Sequence, residues 1–431
     1  MVNSARPTQP EEREHEQRTA GSAPAPLRVA VLAESYLPYL SGVTVSTEAL
    51  VRGLGARGHR VLLVAPRPRA GAELGTAGAV GPDPEVAWMP SYQLPPPVPR
   101  GYRMPVPATL ERVLPDVLAF RPQVVHAQSP FMAGLFARRI ARKAGAPLVF
   151  TYHTRFVDYR HYMRAFAGVG TAVMRRYLDR YLLACDAVIA PSRDLAAELR
   201  QRLDDPARPL IEAVPTGIDV DRLARLEATS PRAAPGWPDD SIVAVTAGRL
   251  AAEKSVETVL AGFTLATARE PRLRLVVIGD GPSAPRLRER AAAPDLAGRV
   301  AFLGQRPRLE ALAAVKGCDV FLFASQTETQ GLVLVESLAC GVPVIAVAAP
   351  GVRDSVTDGV DGRIVASEPK EERASAIAAA LVELARDPQA RASMARAAEA
   401  GAHQFSVAER LAQVEAVYNA AIEVRSGRAT P

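Results

Sequence analysis

Residues 319–347 read DVFLFASQTETQGLVLVESLACGVPVIAV, and the fold turns on how this stretch is read. It begins with a short apolar run, residues 319–325, of the kind buried on both faces in a parallel sheet. A polar loop holding Glu328 follows, and Gly331 then opens a second apolar segment that Gly341 closes. The valines of GLVLVES suit a strand by propensity. The two bracketing glycines and the proline at 343 favour a helix. On the helical reading Glu336, eight residues after Glu328, lies inside the helix. The loop and helix start then offer unpaired backbone N–H groups and the positive end of a dipole, which suits a phosphate or another anion.

The same alternation runs outward from this stretch. SIVAVTAGR, LRLVVIGDG and VAFLG precede it, with helical stretches such as VETVLAGFTLATA between them, and PVIAV ends it. An earlier series starts at Leu27 with LRVAVLAE, the helical VSTEALVRGLGARG and RVLLVAP, and continues through PQVVHAQ, PLVFTYHT and DAVIAPS. Strand, helix, strand with short connections is a βαβ unit and implies a parallel sheet. The expectation is an α/β protein of two doubly wound, Rossmann-like domains, residues 27–205 and 241–403, joined by residues 206–240. Ligands of such sheets sit at the carboxyl ends of the strands, so the natural site is the cleft between the domains. Residues 66–110, rich in Pro and Gly, read as an irregular excursion, residues 1–26 as a disordered tail and residues 404–425 as a terminal helix.

The composition agrees with a globular chain. Of 431 residues, 48% are hydrophobic and 23% charged, which excludes a mostly disordered protein. No run of about 18 uncharged apolar residues suggests a membrane span, and the first residues have no apolar core of a secretory signal. Cys185, Cys318 and Cys340 stand far apart, without metal-type spacing, and predict a reducing cytoplasm rather than a disulfide framework. The net charge is +6, yet residues 27–200 alone carry +10, leaving −4 for the rest. The excess is densest from Arg138 to Arg180, with 10 basic and 2 acidic residues. A general arginine bias does not explain that imbalance between halves. A basic first half points to an anionic partner on one side only, either nucleic acid or an anionic membrane surface.

Other segments carry chemistry. In VTAGRLAAEKS a strand delivers Gly248, Arg249 and Lys254, and such a pair at a strand end can clamp a diphosphate, Arg as a planar fork and Lys as a mobile charge. Isolated surface cations are commonplace, so the pair gains weight only in company. Gly42 sits between a strand end and a helix start, where backbone can approach a ligand closely. His153 ends a strand of the first half. Two motifs look like more than they are. Asp219-Val220-Asp221 has the spacing of a metal-binding DxD but reads as a helix cap. Gly279-Asp280-Gly281 lacks the Lys-Ser/Thr of a phosphate loop.

Taken together, these segments resemble the family-4 retaining glycosyltransferases of the GT-B architecture. The E-x7-E pattern from Glu328 to Glu336 is the core of the likeness, and VPTGIDVDRL, GRLAAEKS, VIGDGP and FLGQRPR occur in the family's order. The resemblance implies a nucleotide-sugar donor in the cleft, transferred with retention and without a metal or other cofactor. By it, Arg249 and Lys254 grip the donor diphosphate over Gly42. Glu336 holds the ribose hydroxyls, and Glu328 and the backbone of Gly331 and Leu332 meet the transferred sugar. His153 lies near sugar and acceptor, and Gly304 and Gln305 flank the nucleobase. TYHTRFVDYRHYM is similar to bacterial diacylglycerol glycosyltransferases, which implies UDP-glucose or a similar donor, a lipid acceptor, and Tyr152, Arg155, Tyr159 and Tyr162 on the acceptor side. That likeness implies a cytoplasmic enzyme, peripheral on the inner face of the membrane and held by its basic half, with no nucleic acid partner. SYQLPPPVPRGYRMPVP is similar to lipid mannosyltransferases, which leaves GDP-mannose and phosphatidylinositol open. A nucleotide-sugar epimerase and a nucleic-acid-binding protein are the rivals from other classes, though no aromatic-interleaved basic stripe or helix-turn-helix supports the second.

Overall fold

A computed structural model describes residues 25–76, 78–93, 95, 101–155, 169–205, 208–232 and 236–429. Most of the expected tail, and both Tyr159 and Tyr162, lie outside the described residues. The first unit runs β1 (Arg28–Leu32), α1 (Gly42–Ala56), β2 (Arg60–Pro66), β3 (Glu85–Met89), a small hairpin of β4 (Ser91–Gln93) and β5 (Arg103–Pro105), and α2 (Leu110–Ala119). It continues with β6 (Val124–Ala127), α3 (Met132–Ala144), β7 (Leu148–Thr151), α4 (Val169–Leu182), β8 (Ala187–Ala190), α5 (Arg193–Arg202) and β9 (Leu210–Ala213); α6 (Val220–Ala224) follows, and its Val220 and Leu223 pack into the core of the second unit. Seven parallel strands form its sheet in the order β3-β2-β1-β6-β7-β8-β9. The central strands are mostly apolar because helices cover both faces, giving one core on each side of the sheet.

Both edges of this sheet correct the sequence reading. The stretch expected to be irregular supplies β3, and the stretch expected to link the domains supplies β9. Edge strands are covered less completely, and here both are mostly half-buried and carry a glutamate, Glu85 or Glu212. The continuous apolar run that marks a central strand is therefore missing from them.

The second unit runs β10 (Ile242–Ala247), α7 (Val256–Thr267), β11 (Leu273–Ile278), α8 (Ala284–Ala291), β12 (Val300–Gly304), α9 (Arg308–Lys316), β13 (Val320–Phe323) and α10 (Leu332–Ala339). It closes with β14 (Val344–Val347), α11 (Val352–Ser355), β15 (Gly362–Val365), α12 (Arg373–Arg386) and α13 (Pro388–Ala402). Its six parallel strands lie in the order β12-β11-β10-β13-β14-β15, again between two cores. The deciding stretch is β13, α10 and β14, so the helical reading of GLVLVES holds. Gly331 has φ +73, a left-handed conformation that a side chain disfavours, and sits at the N-cap of α10. All three cysteines are buried and unbridged. Burial pushes their thiols up, that of Cys340 to about 12.

The chain passes between the units twice, and the crossings lie side by side. Ile218 accepts from the amide of Val407 at 3.1 Å and donates to the carbonyl of Phe405 at 2.9 Å. The last helix, α14 (Val407–Ala429), then packs on the first unit rather than the second, with Leu411, Val414, Val417 and Tyr418 against Leu50, Val51 and Leu54 of α1. Tyr418 is fully buried, and its hydroxyl bonds His126 Nδ1 at 2.7 Å. Glu415 accepts from Arg57 Nε at 2.6 Å and Nη2 at 2.7 Å, and bonds His59 Nε2 at 2.8 Å. His59 Nδ1 already accepts the amide of Leu27, so its Nε2 carries the proton that Glu415 receives. Replacing Glu415 by Ala strands these donors and should cost about 2 kcal/mol, below the value for a fully buried pair because Arg57 is partly exposed. A urea melt checks it, and an unchanged midpoint contradicts the pairing.

Candidate active site

Both sheets end at the cleft, and each contributes a loop after its central strands. In the first unit β1 leads to Tyr36, Tyr39 and Ser41, which caps α1 by accepting the amide of Thr44 at 3.2 Å. Gly42 is the first residue of α1, is exposed, and has nothing within 4 Å of where a Cβ would lie. Tyr39 packs edge-on against Tyr102 at 5.4 Å. Burial pushes its phenol up, and the charge of Arg249 from the second unit opposes that rise. The start of α3 is already occupied. Glu34 accepts from Ser129 Oγ at 2.6 Å and from the amides of Met132 and Ala133, each at 3.3 Å.

His153 follows β7. Its Nε2 donates to Gln128 Oε1 at 2.7 Å, which leaves Nδ1 as the unprotonated nitrogen of a neutral ring. Its carbonyl accepts from Thr329 Oγ1 at 3.0 Å, a bond between the units that brings β7 onto the loop after β13. Next to Thr329, Glu328 receives Lys254 Nζ from the turn Ala252–Lys254. Gln330 ties the same loop to the crossing, accepting Thr216 N at 2.7 Å and donating to Thr216 O at 3.2 Å. The loop runs into α10, whose start has no side-chain cap and leaves its first amides without helical partners.

Glu336 lies eight residues beyond Glu328 on α10, buried, and Arg308 Nε donates to its Oε1 at 2.9 Å. Sequence reasoning missed Arg308. It is 28 residues from Glu336, and no spacing rule connects the two. Gly304 ends β12 and accepts the amide of Gly279 at 2.9 Å, while Gln305 is exposed on the loop leading to Arg308. Gly279 is required where it stands, because a Cβ would lie 1.9 Å from the carbonyl oxygen of Gly248. Leu332 is half-buried at the start of α10.

The structure thus joins Lys254, Glu328 and His153 by direct bonds or adjacent residues, while Glu336 is tied to Arg308 further along the same loop and helix. The acceptor-side residues fall differently. Tyr152 is 2% exposed and packs on Phe150 at 5.9 Å inside the first core, so it presents no surface to an acceptor. Arg155 pairs with Glu198 of α5 at 2.7 Å. A cavity of about 790 Å³ opens instead between the ends of β1 and β2 and the hairpin, lined by Tyr36, Leu37, Pro66 and Pro68 with Arg69 and Arg103. Asp219 caps α6 by accepting the amide of Arg222 at 3.1 Å, as its sequence context suggests. Among the described residues no group of three His, Cys, Asp or Glu is placed to hold a metal, and no helix is long and apolar enough to cross a membrane.

Burial lowers His153 to about 4 and His126 to about 3, since a buried imidazolium loses its hydration. In the unfolded chain both titrate near 6.5. Between pH 7 and 5 the unfolded chain therefore takes up protons that the folded chain refuses, and stability falls with pH, by a slope of up to two protons. Urea midpoints across that range check this, and a flat profile contradicts neutral burial of the pair.

Comparison with known proteins gives the family and the fold. Residues 40–222 match the family model "Glycosyltransferase Family 4" and residues 228–401 match "Glycosyl transferases group 1". The chain is 28% identical to the alpha-monoglucosyldiacylglycerol synthase of Streptococcus pneumoniae, over 83% of this chain and 78% of that protein. It is 32% identical to a GDP-mannose-dependent alpha-mannosyltransferase of Mycobacterium tuberculosis, over 77% of this chain and 82% of that protein. The crystal structure of Anabaena HepE in complex with UDP and glucose superposes with a TM-score of 0.65 at 20% identity, over 91% of this chain and 99% of that one, a likeness of fold.

Proposed function

The chain belongs to the family 4 glycosyltransferases, retaining enzymes that use nucleotide sugars on the GT-B fold, and we propose that it glucosylates diacylglycerol from UDP-glucose at a membrane surface. Membership of that family decides for transfer over epimerisation of the donor. The observation that carries the reading is the junction at Glu328: a cation from one loop, an acid from the next and the strand end bearing His153 meet where the two sheets face each other.

In this reading the bond from sugar C1 to the diphosphate oxygen breaks while C1 bonds the acceptor oxygen on the same face. The acceptor proton passes to the departing diphosphate. Arg249, Lys254 and the open amides at Gly331 and Leu332 stabilise the charge that grows there. Lys254 is held by Glu328, so a donor meets a positioned cation. Glu328 then meets sugar hydroxyls, and Glu336 meets those of the ribose. Gly42 lets the diphosphate lie close to α1, and Gly304 and Gln305 border the base. His153 is neutral at pH 7 and can bond a sugar hydroxyl without adding charge.

The cavity beside Tyr36 and Leu37 suits an amphiphilic acceptor, with apolar walls and two arginines. The surface of α3 and α4 supports a lipid neighbour. Arg138, Arg142, Lys143, Arg175, Arg176 and Arg180 are exposed there, around Leu135 (45% exposed) and Val173 (63% exposed). Each such cation is worth about 1 kcal/mol near an anionic membrane. A second reading, transfer of mannose from GDP-mannose to phosphatidylinositol or a related glycolipid, has the 32% identity to the mycobacterial enzyme in its favour.

Lys254→Ala and Arg249→Ala should each lower turnover by about 100-fold with the melting temperature kept. Full turnover in either variant removes the clamp. Crossing UDP-glucose and GDP-mannose with diacylglycerol and phosphatidylinositol, and weighing the product, separates the two readings. Binding to vesicles containing phosphatidylglycerol should weaken as salt rises. Equal binding to phosphatidylcholine vesicles overturns the basic-surface part of the proposal.

A further inference from the structure

Glu336 is 7% exposed, and a carboxylate at that depth requires a partner. Arg308 comes from another βα unit of the same sheet to supply it, at the first position of α9. The pairing is lopsided. Nε and Nη2 both donate to Oε1, whereas a guanidinium meeting a carboxylate fork to fork uses both oxygens. Oε2 has no hydrogen bond among the described residues. The remaining nitrogen, Nη1, stands beside Gly78 of the first unit, where a Cβ would lie 3.3 Å from it. The guanidinium is thus confined between Glu336 and the other unit.

We propose that Arg308 is a positioning residue for the donor's ribose. By drawing both of its donors onto Oε1 it fixes the rotation of the Glu336 carboxylate, neutralises the buried charge and leaves Oε2 to the nucleotide. One carboxylate oxygen has two lone pairs, enough to accept both ribose hydroxyls. This rests on the reading of Glu336 as the ribose-holding carboxylate. It adds that the selectivity for ribose over deoxyribose depends on a side chain that touches neither the sugar nor the phosphates.

The test is calorimetric titration of the full chain with UDP and GDP, followed by the 2′-deoxy form of whichever nucleotide binds. The native protein should prefer the ribonucleotide. Arg308→Ala should weaken ribonucleotide binding about tenfold, the worth of one hydrogen bond to a charged group, and bring the ribose-to-deoxyribose ratio close to one. Binding of the deoxynucleotide should barely change. Arg308→Lys, which keeps the charge but not the fork, should give an intermediate ratio and serves if the Ala variant fails to fold. Glu336→Ala separates the two layers of the argument. If it abolishes the preference while Arg308→Ala and Arg308→Lys keep it, the role of Arg308 is overturned and the reading of Glu336 survives. If Glu336→Ala keeps the preference, the reading of Glu336 falls and the proposal with it. Tighter nucleotide binding by Arg308→Ala also overturns the proposal, because Arg308 would then be competing with the ribose.

Discussion

Parallel pairing sends every strand of a sheet to the same edge, and the helix that follows each strand begins at that edge. The protein applies this constraint twice, in sheets of seven and six strands, and turns the two edges toward each other. Polar loops and helix starts gather there without any single motif directing them. Charges brought so close in a half-dry cleft must find partners, and they do so within the protein: Lys254 on Glu328, Arg308 on Glu336, and Glu34 on the start of α3. The helix start at Gly331 is the exception, since no side chain caps it.

Several links between the units are polar side-chain bonds. Thr329 reaches the backbone of His153, Gln330 the backbone of Thr216, and Arg193 pairs with Asp354 at 2.6 Å. Contacts of this sort exchange readily with water, unlike an apolar core, so relative movement of the units is their natural behaviour. At the paired crossings Ile218 and Ser406 form a single parallel bridge. Helix α14 lies on the first unit although the chain reaches it from the second, so the first unit is completed by a segment that has crossed over.

Much of this was legible in the sequence, for a physical reason. Central parallel strands are buried on both faces and therefore appear as short apolar runs, as VFLF and VIAV do in the second unit. Glu328 and Glu336 share one loop and helix, so their spacing survives as a pattern. The edge strands β3 and β9 were hidden because partial burial leaves a mixed composition. Arg308 was hidden because an ion pair formed between two crossover units leaves no trace in spacing. Tyr152 misled for the opposite reason. Beside Arg155 it looks like part of an aromatic and basic surface, yet it is the first residue past β7 and turns into the core against Phe150. Neighbours in sequence at a strand end can point to opposite sides of the sheet.

The burial of Cys185, Cys318 and Cys340 has a practical corollary. Thiols held neutral and out of reach of solvent react slowly with maleimides or other alkylating reagents. A cysteine introduced on the outside of each unit would accept a fluorophore or spin probe selectively, with the native thiols left in place. Distances across the cleft could then be followed in an otherwise unaltered chain.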